Sequence, residues 1–291
     1  MVRSPLAIAL AVSLVLLLLV VGGLGLAARG PWSLRAEYRR EVAKGLARAL
    51  PEPPVTEADL APLPAPVQRY LRLVGVVGRP RVRNFRVRFT GRMRGGPDAP
   101  WMPLTADQHS FLEPLTRLFF MEATRGGLPV VALHAYRDGG ASMRVKLLSL
   151  VKVVDARGAD FTRAETVTLF NDLCVLAPAA LIDPAAIRWE PVDDAQARAT
   201  FTHAGHAIQA TLLFGEDGLL KDFTSDDRPA LAPDGVHFLP ARWSTPLGAY
   251  RAFGPYRLAG TADVRYRTAS ADYAYGEFVI ADLAYNVGAA D

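Results

Sequence analysis

The sequence predicts a mainly β (α+β) protein: a curved antiparallel sheet or half-barrel wrapped on one central helix, preceded by an N-terminal transmembrane helix. Three observations predict it. The first thirty residues hold a long uncharged apolar run; short segments of alternating apolar and polar residues follow, divided by turn signals; and a single long helical stretch interrupts them.

Pro5 to Ala28 carries no charged residue, and Leu14 to Val21 is Leu and Val throughout. At 1.5 Å per residue this run spans about 36 Å, enough for a hydrocarbon core of roughly 30 Å. A cleaved signal peptide would have an apolar stretch of about 7–15 residues before small residues at its cleavage site. Gly25 and Ala27 would supply that site, but the run is too long, so residues 1–30 are expected to be a membrane anchor. Arg3 alone precedes the run, whereas Arg29, Arg35, Arg39, Arg40, Lys44 and Arg48 follow it. A literal positive-inside count places the body in the cytoplasm, but long domains translocate despite flanking charge. A short basic leader before a long apolar run is also the form of an exported signal anchor. The expectation is a single-pass membrane protein with an extracytoplasmic body.

Residues 31–66 are expected to form a juxtamembrane amphipathic helix and a Pro-rich linker. Leu34, Tyr38, Val42, Leu46 and Leu50 recur at every fourth position among charges, a helix suited either to the headgroup layer or to packing on the body. Six prolines then lie between Pro51 and Pro66.

Residues 67–291 are expected to form the antiparallel β domain, opened by a short helix over Val67–Val74. From Arg83 to Arg94, Phe85, Val87, Phe89 and Met93 point one way and Arg86, Arg88, Thr90, Arg92 and Arg94 the other, the period of a half-buried strand. Further strands are predicted at Leu104–Leu112, Leu118–Ala123, Val130–Arg137 and Ala141–Val153, with Asp138-Gly139-Gly140 as a hairpin turn. The helix is predicted over Arg163–Leu181, with Thr162 as N-cap and Glu165 at capping-box spacing. Strands resume at Ile187–Pro191, Ala197–His203, His206–Phe214, Leu219–Ser225, Ala241–Thr245, Arg257–Tyr266 and Glu277–Tyr285.

Composition narrows the function. The net charge is +4 with a pI near 9.3, but no basic block is dense enough for a nucleic-acid arm, so nucleic acid is not an expected partner. Cys174 is the only cysteine, which excludes an intrachain disulfide, and no Cys/His zinc pattern exists in the sequence. His203 and His206 straddle a turn with no further ligands at recognisable spacing, so no metal and no cofactor are expected. Walker, G-x-G-x-x-G, G-x-S-x-G and H-E-x-x-H motifs are all missing.

The candidate site residues fall in three groups. Glu165 and Asp172 are seven apart on the predicted helix and share a face with the chemistry of an acid/base pair, although a cap at Glu165 and helix-to-sheet hydrogen bonds at Asn171 and Asp172 explain them more simply. Arg86 and Arg88 stripe one strand face, as anionic-headgroup ligands or as an ordinary solvated face. Arg228 at a strand end, with Trp243 and Tyr250, has the makings of a ligand mouth or of an internal salt bridge. The runs Leu118-Phe119-Phe120-Met121, Leu147-Leu148-Ser149-Leu150-Val151 and Leu212-Leu213-Phe214 exceed what one sheet face needs to bury, and a curved sheet with one covering helix leaves room for an apolar cavity.

Several strings resemble an uncharacterised bacterial family, a domain of unknown function, over about residues 63–286. They are Leu63-Pro64, Pro66-Val67-Gln68-Arg69-Tyr70-Leu71, Glu165-Thr166 with Asn171-Asp172 and Ala177-Pro178, Asp227-Arg228, Trp243 with Thr245-Pro246 and Tyr250-Arg251, and Tyr285-Asn286. That resemblance implies the extent of the domain and no activity. The order of elements is separately similar to LolA/LolB-type lipoprotein carriers and mycobacterial lipid-binding lipoproteins, in which a half-open sheet wraps a helix and shelters acyl chains. This chain differs from them in having an apolar anchor in place of a lipobox cysteine or cleaved signal.

Together these features predict a membrane-tethered, non-catalytic binding domain for a lipid or other apolar or amphiphilic small molecule in the bacterial envelope. Arg228, Arg86, Arg88, Asn171, Trp243 and Tyr250 are the expected ligand-binding residues. The alternatives are an enzyme using Glu165 and Asp172 as an acid/base pair, and an envelope scaffold that recruits proteins through an exposed sheet edge.

Overall fold

The computed structural model describes residues 5–47, 53–232 and 237–288. The apolar run forms α1 (Pro5–Arg29), whose Leu and Val side chains are exposed almost all round. α2 (Leu34–Leu46) starts at Ser33, whose Oγ accepts from the Ala36 amide at 3.1 Å. Its apolar stripe of Leu34, Tyr38 and Val42 is buried against Phe111, Leu118, Phe120, Leu133 and Ala135, so α2 packs on the body. Arg3, Arg48, Leu50 and Pro51 lie outside the described residues. Within the predicted linker, Thr56 and Asp59 form a capping box for α3 (Glu57–Leu60). α4 (Ala65–Val74) then buries Val67, Tyr70, Leu71 and Val74 and ends at Gly75, where φ is +83°.

Six strands follow in successive hairpins: β1 (Asn84–Met93), β2 (Met102–Leu112), β3 (Leu115–Arg125), β4 (Leu128–Arg137), β5 (Gly140–Leu147) and β6 (Val151–Arg157). Asp138 and Gly139 both have positive φ, the two-residue turn whose twist matches antiparallel strands. The predicted strand Ala141–Val153 is two strands instead of one. Leu148 and Ser149 adopt positive φ and reverse the chain, so the apolar run around them is a hairpin end.

α5 (Ala159–Leu176) begins four residues before the predicted start, after Gly158 at φ +110°. Thr162 is not its N-cap. It lies inside the first turn, where its Oγ1 donates to the Gly158 carbonyl at 2.9 Å and accepts from the Ala141 amide at 3.1 Å. Glu165 is therefore free of any capping role. Pro178, lacking an amide hydrogen, stops the α-helix early, and the last predicted turns become a short 3-10 segment, Pro178–Ile182.

The second half supplies β7 (Ile187–Asp193), β8 (Gln196–His203), β9 (His206–Phe214), β10 (Leu220–Ser225), the small pair β11 (Ala230–Leu231) and β12 (Phe238–Leu239), β13 (Arg242–Ser244), β14 (Leu247–Gly248), the pair β15 (Arg251–Phe253) and β16 (Tyr256–Leu258), β17 (Thr261–Arg267) and β18 (Asp272–Tyr285). Among the described residues, fourteen strands join in one antiparallel sheet ordered β6-β5-β4-β3-β2-β1-β18-β17-β13-β10-β9-β8-β7, with β14 beside β17. The sheet is not closed, since β6 and β7 are its two edges.

Its curvature follows from α5, which touches β5 near one edge and β9 near the other. Nine strand intervals at about 4.8 Å would place those strands some 43 Å apart in a flat sheet. An 18-residue helix is only about 27 Å long. The sheet reaches both sides of the helix by bending around it, and β3 shows the result. Phe119 and Met121 face the concave interior, while Leu118 and Phe120 face outward beneath α2. The continuous apolar run predicted there serves two buried faces, as expected of a strand covered on both sides.

Candidate functional site

α5 crosses the concave face and presents Glu165, Thr168, Asn171, Asp172, Val175 and Leu176 to a cavity of about 140 Å³. Steps of three and four residues put these positions on one side of the helix. Across from them stand Phe89, Met93, Phe119, Met121, Phe278 and Ile280 from the sheet, so the walls are aromatic and aliphatic.

The end nearest the helix is polar. Arg117 Nε donates to Asp172 Oδ2 at 2.6 Å, and Gln108 Nε2 donates to the same oxygen at 2.8 Å. Arg228 Nε donates to Thr168 Oγ1 at 2.8 Å, its Nη2 to Glu165 Oε1 at 3.0 Å, and its Nη1 to the Tyr266 hydroxyl. The Arg228 guanidinium carbon also lies 5.0 Å from the centre of the Trp243 ring, an aromatic face favourable to a cation. His134 Nδ1 and Arg117 Nη1 stand 4.0 Å and 3.9 Å from Glu165 Oε2. Two guanidinium groups thus face two carboxylates in an interior that penalises uncompensated charge.

Burial pushes the Glu165 carboxyl upward, but Arg228, His134 and Arg117 outweigh it and hold the group at about 2. Arg228 is pushed up despite its burial, with Tyr266, Tyr275 and Glu165 favouring its charged form. A carboxylate so stabilised has no proton to donate near neutral pH and little appetite to take one. Arg228 binds Glu165, and Arg117 binds Asp172 while also standing near Glu165, which makes the two carboxylates parts of an ion-pair framework.

Two polar atoms on the cavity wall are left over. Asn171 Oδ1 and Thr245 Oγ1 are buried without a hydrogen-bond partner among the described residues. Such an atom typically costs about 1–3 kcal/mol.

Of the ligand-binding residues expected from sequence, Arg228, Asn171 and Trp243 line the cavity, as do Glu165 and Asp172. Arg86, Arg88 and Tyr250 do not. Arg86 and Arg88 project from the outer face and pair with Asp282 Oδ2 at 3.2 Å and 3.1 Å, because strand alternation sends them away from Phe85 and Val87. Tyr250 is drawn into the core and donates to the Leu220 carbonyl at 2.7 Å. Sequence reasoning missed Gln108, Arg117, His134 and Thr245. The signal for three of them is parity: Phe119 pairs with Gln108 on one side and with His134 on the other, and Arg117 lies two residues before Phe119, so all share the inward face.

Ala204 and Gly205 form the tight turn between His203 and His206, which leaves those side chains at a hairpin end. Among the described residues no three His, Cys, Asp or Glu side chains converge as a metal site. A second hollow, about 440 Å³, lies between Arg81–Arg83 and Ile182–Ile187 and borders Pro53, the first described residue after 47.

A DUF1329 family protein from Desulfovibrio piger is similar in structure at TM-score 0.42 and 11% identity, covering 77% of this chain and 93% of its own. A domain from Vibrio parahaemolyticus, described as an outer membrane lipoprotein-sorting protein domain, is similar at TM-score 0.40 and 10% identity, covering 70% of this chain and 86% of its own. No curated protein matches the sequence. The family model described as "Family of unknown function (DUF6544)" matches residues 53–278, from the linker through α5 and into β18 and well over half of the chain, and the protein belongs to that family.

Proposed function

We propose that this protein is a membrane-tethered, non-catalytic domain that binds a lipid or another amphiphilic small molecule. The observation that carries the proposal is the cavity itself: its walls are mostly apolar, and Asn171 and Thr245 on its lining keep buried polar atoms with no partner among the described residues. A ligand group that hydrogen-bonds there would relieve a desolvation penalty while its apolar part lies against Phe119, Met121 and Phe278.

Size supports a ligand bound by one end. A dry apolar cavity of about 150 Å³ holds a benzene ring. A cavity of about 140 Å³ therefore takes a small group, and the rest of a longer molecule has an apolar surface to follow. Leu104, Ala123, Val130 and Ala132 cluster with Phe119 and Met121 on the concave face, with Met93, Met102 and Leu147 packed beside them.

In this proposal α1 is the tether, residues 1–30 anchor the chain, residues 31–66 join it to the body, and residues 67–291 bind the ligand on the extracytoplasmic side. A C-terminal reporter active only outside the cytoplasm tests the topology; silence of that reporter in an otherwise stable fusion would place the body inside. Native mass spectrometry of the full chain, gently extracted, tests binding. A co-purifying amphiphile that is lost in Met121→Trp, which fills the cavity, is the expected result. An empty protein that also fails to bind a panel of fatty acids, alcohols, amides and phospholipids would sink the proposal.

A further inference from the structure

We propose that the hairpin end of the body formed by the β3–β4 and β5–β6 turns rests on the surface of an anionic bilayer, so that the apolar end of the cavity faces the membrane. A tether alone does not require this, because an anchored domain can stand off the surface in any orientation. Three independent placements converge on that one end.

The first is where the anchor leaves the body. α2 lies antiparallel to β3. Near its start Arg35 pairs with Glu122, and the Arg35 guanidinium carbon sits 4.9 Å over the Phe120 ring. Further along, Glu41 Oε2 is 2.9 Å from Arg137 Nη1, and Gly45 packs against the Phe111 ring. Phe111 pairs with Thr116 near the start of β3, whereas Glu122 lies close to its end. The start of α2, and with it the end of α1, therefore lies toward the turn at Gly126-Gly127. Trp32 stands at this junction with 86% of its surface exposed. Tryptophan is enriched at that depth, where an amphipathic ring sits among headgroups.

The second is an exposed apolar patch at the same end. Leu128 opens β4, and Leu150, Val151 and Val153 form the β5–β6 turn and the edge strand; they are 45%, 55%, 56% and 54% exposed. The two turns are tied together, since the Leu148 amide donates to the Pro129 carbonyl at 2.8 Å. Single exposed apolar residues need no explanation, but a contiguous group on an open edge does. Arg125, Lys146 and Lys152 lie at the strand ends that flank these turns, and among the described residues only Lys152 of the three has an acidic partner, Asp155 at 2.7 Å. Apolar side chains interleaved with cations fit an anionic lipid surface better than a protein edge seeking backbone partners.

The third is the direction in which the cavity becomes apolar. From the polar end at Gln108, Arg117 and His134, the concave face runs through Ala106, Met121 and Ala132 to Leu104, Ala123, Val130 and Leu147, which pair across neighbouring strands next to the same turns. A ligand bound by its polar group at α5 would direct its apolar part toward this end.

The test uses the full chain in vesicles containing phosphatidylglycerol, with an environment-sensitive fluorophore on one introduced cysteine. Native Cys174 is buried and stays unlabelled. Leu150→Cys and Leu128→Cys report the proposed contact, each covering for failure of the other to fold, and Asp138→Cys reports the opposite hairpin end. The expected result is blue-shifted emission and quenching by brominated acyl chains at 150 and 128, with neither at 138. Equal quenching at all three sites, quenching at 138 alone, or free access of iodide to 150 and 128 would overturn the proposal. So would shielding of 150 from both quenchers, which would mark a second copy of this chain on the edge strand. None of these readouts requires the cavity to be filled, so they fail or succeed separately from ligand binding.

Discussion

Arg228 Nη2 and Glu165 Oε1 meet at 3.0 Å inside the curved sheet, joining the segment after β10 to α5. Both side chains are nearly inaccessible, at 12% and 6% of their surface. A buried pair is weak support for stability as a whole, but removing one partner strands the other charge and costs about 3–5 kcal/mol. Glu165→Gln is expected to lower the urea midpoint accordingly at pH 7. The pH dependence follows from linkage. Because the folded value of Glu165 lies at about 2, below the ordinary 4.5, its contribution is complete above pH 4.5 and is lost as pH falls from there toward 2. The gap between wild type and Glu165→Gln should narrow across that window. A gap independent of pH would mean that the ion pair is not what the substitution removes.

Asp222 titrates in the opposite sense. Burial raises its carboxyl from 3.8 to about 6, against the opposing hydrogen bond from the Thr245 amide at 2.9 Å. A raised folded value means that ionising this group costs stability as pH rises from about 4 through 6. Asp222→Asn keeps the acceptor for Thr245 and removes that cost. Its melting temperature should exceed that of wild type at pH 7.5, and the difference should vanish at pH 3.5, where both side chains are neutral. Destabilisation at both pH values would show that the carboxylate is held for its charge.

How far the sequence reaches is clearest at β1 and α5. Alternation in Phe85–Met93 fixes both faces of β1, and turn chemistry at Asp138-Gly139 fixes the β4–β5 hairpin, because both are local properties. The helix is legible as a helix, but its start is set by the strained Gly158 and by Thr162 bonding to Ala141, contacts between residues of two different elements. The site is harder still. Arg228, Asn171 and Trp243 are legible as unusual residues, yet Arg86 looks equally promising until pairing puts it beside Asp282. Arg117 and His134 gain meaning only when the sheet bends and brings them to Glu165. Parity says which face a residue occupies; curvature decides what lies across from it.

Gly91, between the cavity-lining residues Phe89 and Met93, marks a place where β1 tolerates no side chain. A Cβ built there would lie 2.0 Å from the Glu277 carbonyl oxygen, a backbone atom of the paired strand β18. Backbone cannot rotate aside as a flexible side chain does, so Gly91→Ala must open the β1–β18 pairing or shift its register. The expected cost is about 1–3 kcal/mol, the range for overpacking a filled site. Urea unfolding measures it, and an unchanged midpoint would show that β1 and β18 slide freely there. The adjacent liners Phe89 and Phe278 should move with the strand, so ligand retention should fall in parallel.

Asn171 offers the sharpest separation of folding from binding. Its Oδ1 is buried on the cavity wall with no partner among the described residues, an arrangement that costs stability in the empty protein. Leucine has a similar volume and no polar atom. If Asn171 is kept for the ligand, Asn171→Leu should raise the stability of ligand-free protein by about 1–3 kcal/mol while reducing the co-purifying amphiphile. If Asn171 instead supports the fold through contacts to its neighbours, the same change should destabilise the protein. The two outcomes differ in sign, so a pair of urea titrations on delipidated wild type and variant decides between them. Thr245→Val is the parallel test at the other unpartnered lining residue, and it should shift stability and ligand retention in the same directions.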